Sequence, residues 1–271
     1  MCGRYTNTLD AMALAVEFNA QWLTDQASAS WRPRFNIAPD QFVPVIRQRN
    51  LALDQGQSSR GSHQRVIEHM QWGFVFAGVD KGGVSKKVIN ARSESVDEKP
   101  MFKKAFAQGR CLVPSDGFYE WDGAKVPHRS CLAGGKPFAF AGLWQEHRDP
   151  NGQAHRSFII LTRDALGDLR TIHHRMPVIL QASDFDSWLQ VDTVDVVRAK
   201  RLLLKPPQEL PRSYQVSKRV NSPKIDDAEC LKAHTDTSEE QLSQQVKNQQ
   251  KSAQKESNKE GRDQLTFFWN S

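Results

Sequence analysis

Apolar positions in this chain recur at two periods, and their distribution predicts the elements. From Asn7 or Thr8, either of which can cap a helix, the residues Leu9, Met12, Ala13 and Val16 fall at three-and-four spacing. They predict one helical face running to about Ala20. Beyond it the period shortens. FVPVI at 42–46, RCLVPSDGFYEW at 110–121, PFAFAGLW at 137–144, SFIILT at 157–162 and MPVIL at 176–180 are rich in β-branched and aromatic residues. Such side chains fit a pleated, half-buried surface, so each run predicts strand, with Gly and Pro marking the turns between. Two more helices are expected, one around Pro100 to Gln108 and one from Ser183 to about Gln190. Ser183 caps the second, and Phe185, Trp188 and Leu189 supply its apolar face. The pattern predicts an α+β domain with a dominant, curved antiparallel sheet or barrel and a few flanking helices.

Two stretches break the pattern. From about Arg49 to Gln64 the chain is poor in apolar residues and rich in Ser, Gly and Gln, which predicts a mobile surface insertion at 49–64. After Cys230 it turns to Gln, Ser, Lys, Glu and Asn, which cannot bury enough to offset chain entropy. One domain over 2–230 and a disordered tail over 231–271 are therefore expected. The tail ends in QLTFFWNS, an aromatic cluster with no core to join.

Composition adds a few limits. The 271 residues, 38% of them hydrophobic, suffice for one sizeable core with chain to spare. No run approaches the roughly 18–20 apolar residues of a membrane span, and MCGRYTNTLD lacks the apolar stretch of a signal peptide. A soluble, intracellular protein of nucleus or cytoplasm is expected. Cys2, Cys111, Cys131 and Cys230 form no C-x-x-C pair and have no histidine at zinc spacing, so neither a disulfide framework nor a metal is indicated. From Leu231 onward six basic residues match six acidic ones, so the formal charge of +6 sits wholly in the first 230 residues. A basic body favours a polyanionic partner.

The candidate chemistry begins at Met1-Cys2-Gly3. A small second residue lets the initiator methionine be cut away, and Cys2 then presents a thiol and an α-amine on adjacent carbons. An unperturbed α-amine has a pKa of about 7.7 to 8.0, so a useful fraction is neutral where a lysine is protonated. An aldehyde that meets this amine forms an imine, and the thiol closes a five-membered thiazolidine. The ring-opened sugar of an abasic DNA site is a prominent natural aldehyde. Further along, Glu120 lies in a strand-like run between Tyr119 and Trp121, where it either faces solvent or carries a raised pKa suited to proton transfer. His173 and His174 precede Arg-Met-Pro, and on extended chain only one of them can enter a given pocket.

Seven motifs stand in order: C-G-R-Y at 2–5, R-F-N-I-A-P at 34–39, W-G at 72–73, I-N-A-R-S-E at 89–94, G-F-Y-E-W at 117–121, H-H-R-M-P at 173–177 and V-N at 220–221. In these the sequence resembles the SOS-response-associated peptidase (SRAP) family. The resemblance implies a β-rich domain with a basic groove for single-stranded DNA and a pocket in which the N-terminal cysteine meets an abasic sugar. It implies that Cys2 forms the cross-link, that Asn90 holds the cysteine amine and the sugar, and that Glu120 does acid and base work on the imine. His173 would open the sugar ring. For DNA it implies contacts from Arg4, Arg34, Asn36, Arg92 and Arg110, with Trp72, Phe102 and Trp121 stacking on or wedging between bases. No cofactor is implied, and a monomer is expected.

Three functions stay open on the sequence: covalent capture of abasic sites with lyase-type chemistry, a peptidase in which Glu120 and His173 unmask Cys2, and a noncovalent adaptor. In the tail Gln264, Leu265, Phe267 and Phe268 resemble a peptide that binds the replication sliding clamp, though more tightly spaced than usual.

Overall fold

The computed structural model describes residues 2–50, 63–79, 85–148 and 151–234. In chain order its strands are β1 (Arg4–Asn7), β2 (Gln21–Trp22), β3 (Arg34–Ile37), β4 (Phe42–Asn50), β5 (His63–Trp72), β6 (Phe74–Val79), β7 (Ser85–Val88) and β8 (Asn90–Arg92). They continue as β9 (Arg110–Ser115), β10 (Gly117–Trp121), β11 (Pro127–Cys131), β12 (Phe138–Arg148), β13 (Ala154–Asp164), β14 (Arg175–Pro177), β15 (Ile179–Leu180) and β16 (Arg212–Gln215). The helices are α1 (Ala11–Glu17), α2 (Asp25–Ser30), α3 (Pro100–Gln108), α4 (Leu169–Ile172), α5 (Phe185–Leu189) and α6 (Val196–Leu204). The α+β class and the dominance of sheet agree with the sequence pattern.

Strand pairing closes a barrel. β13 pairs β12, β12 pairs β9, β9 pairs β4 and β4 pairs β5, all antiparallel, and β5 returns to β13 in parallel. β13 also takes β14 antiparallel and β8 in parallel, so one strand has four neighbours. A second sheet, ordered β16–β11–β10–β1–β3, is antiparallel throughout.

Side chains alternate along each barrel strand, so the register sorts them onto two faces. Val45, Met70, Cys111, Phe140 and Phe158 share one of them. At one end of that face Trp72 stacks on Phe158, and Tyr5 of the second sheet meets the rings of both Trp72 and Phe140 at 5.3 and 5.8 Å. The other end is charged: Glu68 binds Arg47 and, at 2.6 Å, Arg156, which reaches Glu146 at 3.1 Å. The barrel thus has an aromatic end toward β1 and an ionic end away from it. Between them a Cβ on Gly142 would come within 2.9 Å of Cys111 Sγ, so only glycine fits where β12 crosses β9.

Helix α3 has the expected bounds, and the others correct the sequence reading. Asp10, not Asn7 or Thr8, caps α1, accepting the Ala13 N–H at 2.8 Å. Thr8 is occupied elsewhere, since its N–H donates to Asp116 at 2.7 Å and its hydroxyl bonds the same carboxylate. The buried face also differs from the expected one: Leu14 and Phe18 are buried while Met12 and Val16 are 78% and 77% exposed. Ser183 caps nothing; it lies in a 3-10 turn, Ala182–Asp184, that leads into α5 with its buried Phe185, Trp188 and Leu189. The run at 110–121 is two strands that break at Asp116. At the edges of the expected insertion, Arg49 and Asn50 pair with Gln64 and His63. Residues 51–62 and the tail from 235 on, with the aromatic cluster at its end, lie outside the described residues.

Candidate active site

The start of the chain is held by β1. Arg4, Tyr5 and Thr6 pair with Tyr119, Phe118 and Gly117 of β10, so the residues before Arg4 run toward Glu120 and Trp121. The corner ahead of β10 fixes this strand. Asp116 accepts from the Thr6 hydroxyl, from the Thr8 N–H and, at 3.0 Å, from Arg129. The Arg129 guanidinium fills the space beside Gly117, where a Cβ would meet it at 2.7 Å. The glycine of G-F-Y-E-W thus leaves the room that this guanidinium occupies.

Cys2 is wholly buried, and Asn90 Nδ2 donates to its carbonyl oxygen at 2.8 Å. Asn90 opens β8, which lies parallel to β13 opposite Ile160. Its Oδ1 is buried with no hydrogen-bond partner among the described residues, an acceptor that can take a group entering the site. Burial first, then the nearby Glu120 carboxylate, push the Cys2 thiol far up, so it is neutral in this state.

Glu120 is 5% exposed, and burial raises its carboxyl to about 7 against the opposing pull of the positive charge at the chain start. His173 is half-buried at the foot of β14, with Nδ1 3.0 Å from the Arg175 N–H and 3.1 Å from the Arg175 carbonyl oxygen. Either protonation state is thereby held, because the neutral nitrogen accepts from the N–H and the protonated one donates to the oxygen. Burial lowers its pKa, and the chain-start charge adds to the effect. His174 is exposed, its ring 4.4 Å from that of His173. The same chain-start charge acts on Cys2, Glu120 and His173, so all three lie within electrostatic range of it.

The raised carboxyl sets a pH dependence. Folded Glu120 binds its proton more tightly than an unfolded glutamate, so its stabilising effect is complete below the ordinary glutamate range. That effect is lost as pH rises through about 7. Denaturant melts from pH 5 to 8 should show wild type losing stability over this window and Glu120→Gln losing much less. Parallel pH curves for the two would mean that the carboxyl titrates normally.

One functional feature escaped the sequence reading although both its residues stand in quoted motifs. Arg175 is buried; its guanidinium donates to Glu94 at 2.7 and 2.9 Å, to Asp164 at 2.6 Å and to the Thr162 carbonyl at 2.6 Å. This clamp ties H-H-R-M-P to I-N-A-R-S-E across β13 and so fixes His173 relative to Asn90. Opposite charges in two motifs were the available signal.

The expected DNA contacts divide. Arg92 is exposed. Trp121 is half-buried, its Nε1 donating to Asn221 Oδ1 at 2.8 Å, with the Arg4 guanidinium 6.0 Å over its ring. Arg4 is half-spent, donating to Asn36 Oδ1, Val220 O and Asn221 O. Asn36 is buried and donates to the carbonyls of Val220, Ser222 and Ile225, and Arg34 pairs with Asp226. These two fasten the C-terminal segment of the domain. Trp72, Phe102 and Arg110 are buried, the tryptophan bonded to the Ile89 carbonyl at 3.0 Å. Among the described residues no group of three or more His, Cys, Asp or Glu is arranged to hold a metal.

Fold and site together define a small β-barrel protein that buries its second residue, with Asn90 bonded to that residue's carbonyl and the Glu120 carboxyl nearby. The chain belongs to the SOS response associated peptidase (SRAP) family, whose model matches residues 1–223. It is 31% identical over 238 residues to the abasic site processing protein YoqW of Bacillus subtilis (strain 168), covering 86% of this chain and 100% of that one. Abasic site processing protein HMCES of Gallus gallus is 30% identical over 268 residues, covering 85% and 77%. A solved protein from Bordetella bronchiseptica matches with a TM-score of 0.62 at 26% identity, over 80% of this chain and 100% of that one. One from Bacteroides thetaiotaomicron, 22% identical, shares the fold with a TM-score of 0.69 over 86% and 100%.

Proposed function

We propose that this protein processes abasic sites in single-stranded DNA by joining the sugar aldehyde to Cys2 once Met1 has been removed. The observation that carries the reading is the convergence of Asn90, Glu120 and His173 on the chain start. In the proposed sequence His173 gives a proton to the sugar ring oxygen, the anomeric hydroxyl releases its proton to water, and the ring opens to its aldehyde. The α-amine of Cys2 adds to the carbonyl carbon. Glu120, a carboxyl poised near neutrality, protonates the departing hydroxyl, water leaves and an imine forms. The thiol then adds to the imine carbon, its proton passes to the nitrogen, and the thiazolidine closes. Asn90 holds the Cys2 carbonyl throughout and offers its Oδ1 to the amine or the sugar. Exposed Arg92 and half-buried Trp121 are the proposed contacts to the strand.

The test is one intact-mass measurement on denatured protein, with and without an oligonucleotide carrying a single abasic site. The expected mass is that of protein lacking Met1 plus the DNA strand minus one water. Unshifted protein in the presence of excess oligonucleotide would refute covalent capture and leave a noncovalent adaptor.

A second reading concerns Met1 itself, because the charge that Glu120 and His173 sense is the α-amine at the chain start. The two side chains would then hydrolyse the Met1–Cys2 bond in place. Loss of Met1 from wild type but not from Glu120→Gln, made without methionine aminopeptidase, decides it. Gln264, Leu265, Phe267 and Phe268 in the tail are proposed to dock on a sliding clamp and bring the domain to replicating DNA.

A further inference from the structure

Glu120 has a neighbour that this chemistry leaves unused. In the β10–β11 ladder it stands directly opposite His128, which in turn is opposite Gln215 of β16. Residues paired in this way share one face of the sheet with Cβ atoms about 5 Å apart. A row therefore leads from the chain start on β1, through buried Glu120, to His128, whose side chain is 19% exposed. Burial falls along the row toward solvent.

His128 is oriented by the turn that joins the two strands. Its Nε2 lies 3.0 Å from Asp122 Oδ2, while Asp122 Oδ1 accepts the N–H groups of Ala124 and Val126 at 2.9 Å each. The Val126 bond first, and the His128 contact after it, hold the Asp122 carboxyl below the ordinary aspartate range. With Nε2–H donated to this carboxylate, Nδ1 is the nitrogen left to accept a proton. An aspartate, an imidazole and the group the imidazole serves thus follow one another in order.

We propose that His128, oriented by Asp122, exchanges protons between Glu120 and solvent and so resets the Glu120 carboxyl between steps of the abasic-site reaction. The role rests on that reaction being the right one. The transfer balances: Glu120 gives its proton to Nδ1, leaving a carboxylate and an imidazolium beside Asp122, and the imidazolium releases a proton to water. The reverse path reprotonates Glu120. Imidazole suits the task because it takes and gives protons near neutrality. The groups around His128 are Glu120 across the ladder, Asp122 and Lys125 in the turn, neutral Gln215 on β16, and Lys218 and Arg219 from the 3-10 turn packed on β11. Arg219 is paired with Asp227 at 2.7 Å, and beyond Glu120 lies the chain-start charge.

Full-length protein lacking Met1 serves for the test, as wild type, His128→Phe and His128→Gln, with melting temperatures to confirm folding. Two quantities are read: the titration midpoint of the Glu120 carboxyl by carbon-13 NMR, and the pH–rate profile of adduct formation with an abasic oligonucleotide. Removal of the imidazole that takes up the Glu120 proton should move the Glu120 midpoint up by about one unit in both variants. Adduct formation should slow about tenfold at neutral pH, as expected for removal of a positioned acid–base group, and added imidazole should restore it. A folded His128→Phe with the wild-type midpoint and the wild-type profile would overturn the proposal. If wild type gives no adduct, the abasic-site reading fails, and the NMR midpoints still decide whether His128 governs Glu120.

Discussion

Cys2→Ser should lose the denaturation-resistant adduct with abasic single-stranded DNA by about two orders of magnitude, because a hydroxyl is a far weaker nucleophile than a thiol toward the imine carbon. The variant should still fold. The Cys2 side chain is buried and points its sulfur at the Arg4 carbonyl, 3.8 Å away, where a serine hydroxyl can donate instead. The α-amine remains, so the imine should still form and be trapped by borohydride reduction. Gel shift of denatured protein without reductant reads the thiazolidine, and the same gel after reduction reads the imine. A stable, unreduced adduct at wild-type yield from Cys2→Ser would sink the thiazolidine mechanism. Loss of both products would mean that the substitution disturbs the chain start itself.

Arg110→Ala should cost about 3–5 kcal/mol of stability, because it strands several buried carbonyl oxygens that the guanidinium satisfies. Sequence alone puts this arginine in the DNA groove, and the structure places it 1% exposed under α5. Its guanidinium donates to four carbonyls: Trp188 at 2.7 Å, Val194 at 2.8 Å, Gln190 at 3.0 Å and Phe106 at 3.2 Å. Phe106 and Trp188 lie in the last turns of α3 and α5, and Gln190 and Val194 in the segment that follows α5, so the arginine caps the two helices and ties that segment to them. Burial pushes its pKa down to about 10, which leaves it cationic at neutral pH. Loss of the cap should lower the melting temperature by roughly 10 °C. Arg110→Lys should recover only part of this, since a point charge cannot serve four acceptors in a fork. The salt dependence of DNA binding should not change. An unaltered melting temperature with a salt slope smaller by about 0.7 would return Arg110 to the groove.

Arg110 also shows where sequence reading runs out. A guanidinium that grips phosphate and one that gathers carbonyl oxygens carry the same donors, and only the fold decides which acceptors they meet. Trp72 and Phe102, both buried, carry the same ambiguity, since an aromatic ring that stacks on a base and one that fills a core look alike in a sequence. The strands at 42–46, 137–144 and 157–162 were legible because branched and aromatic residues crowd there. β5 was not, since HQRVIEHMQW mixes charge with aliphatics, and its Glu68 is buried only because Arg47 and Arg156 meet it from other strands. Cys2 was legible for a different reason: its candidate chemistry depends on its place next to Met1, and place is what a sequence states. His128 carried no such signal, because its partner Glu120 is eight residues away and they meet only through the register of β10 and β11.

The parallel seam between β5 and β13 joins segments some ninety residues apart, whereas the other four seams are antiparallel. Contacts of such separation are slow to form because loop closure must precede them. β8, which brings Asn90, lies parallel against the same β13 and also pairs across a long stretch of chain, so the surroundings of Cys2 are built from contacts of this slow-forming kind. Cys2 is therefore buried only in a chain whose long-range strands have already paired, and under the proposed function the thiol meets an abasic sugar only from within the finished domain.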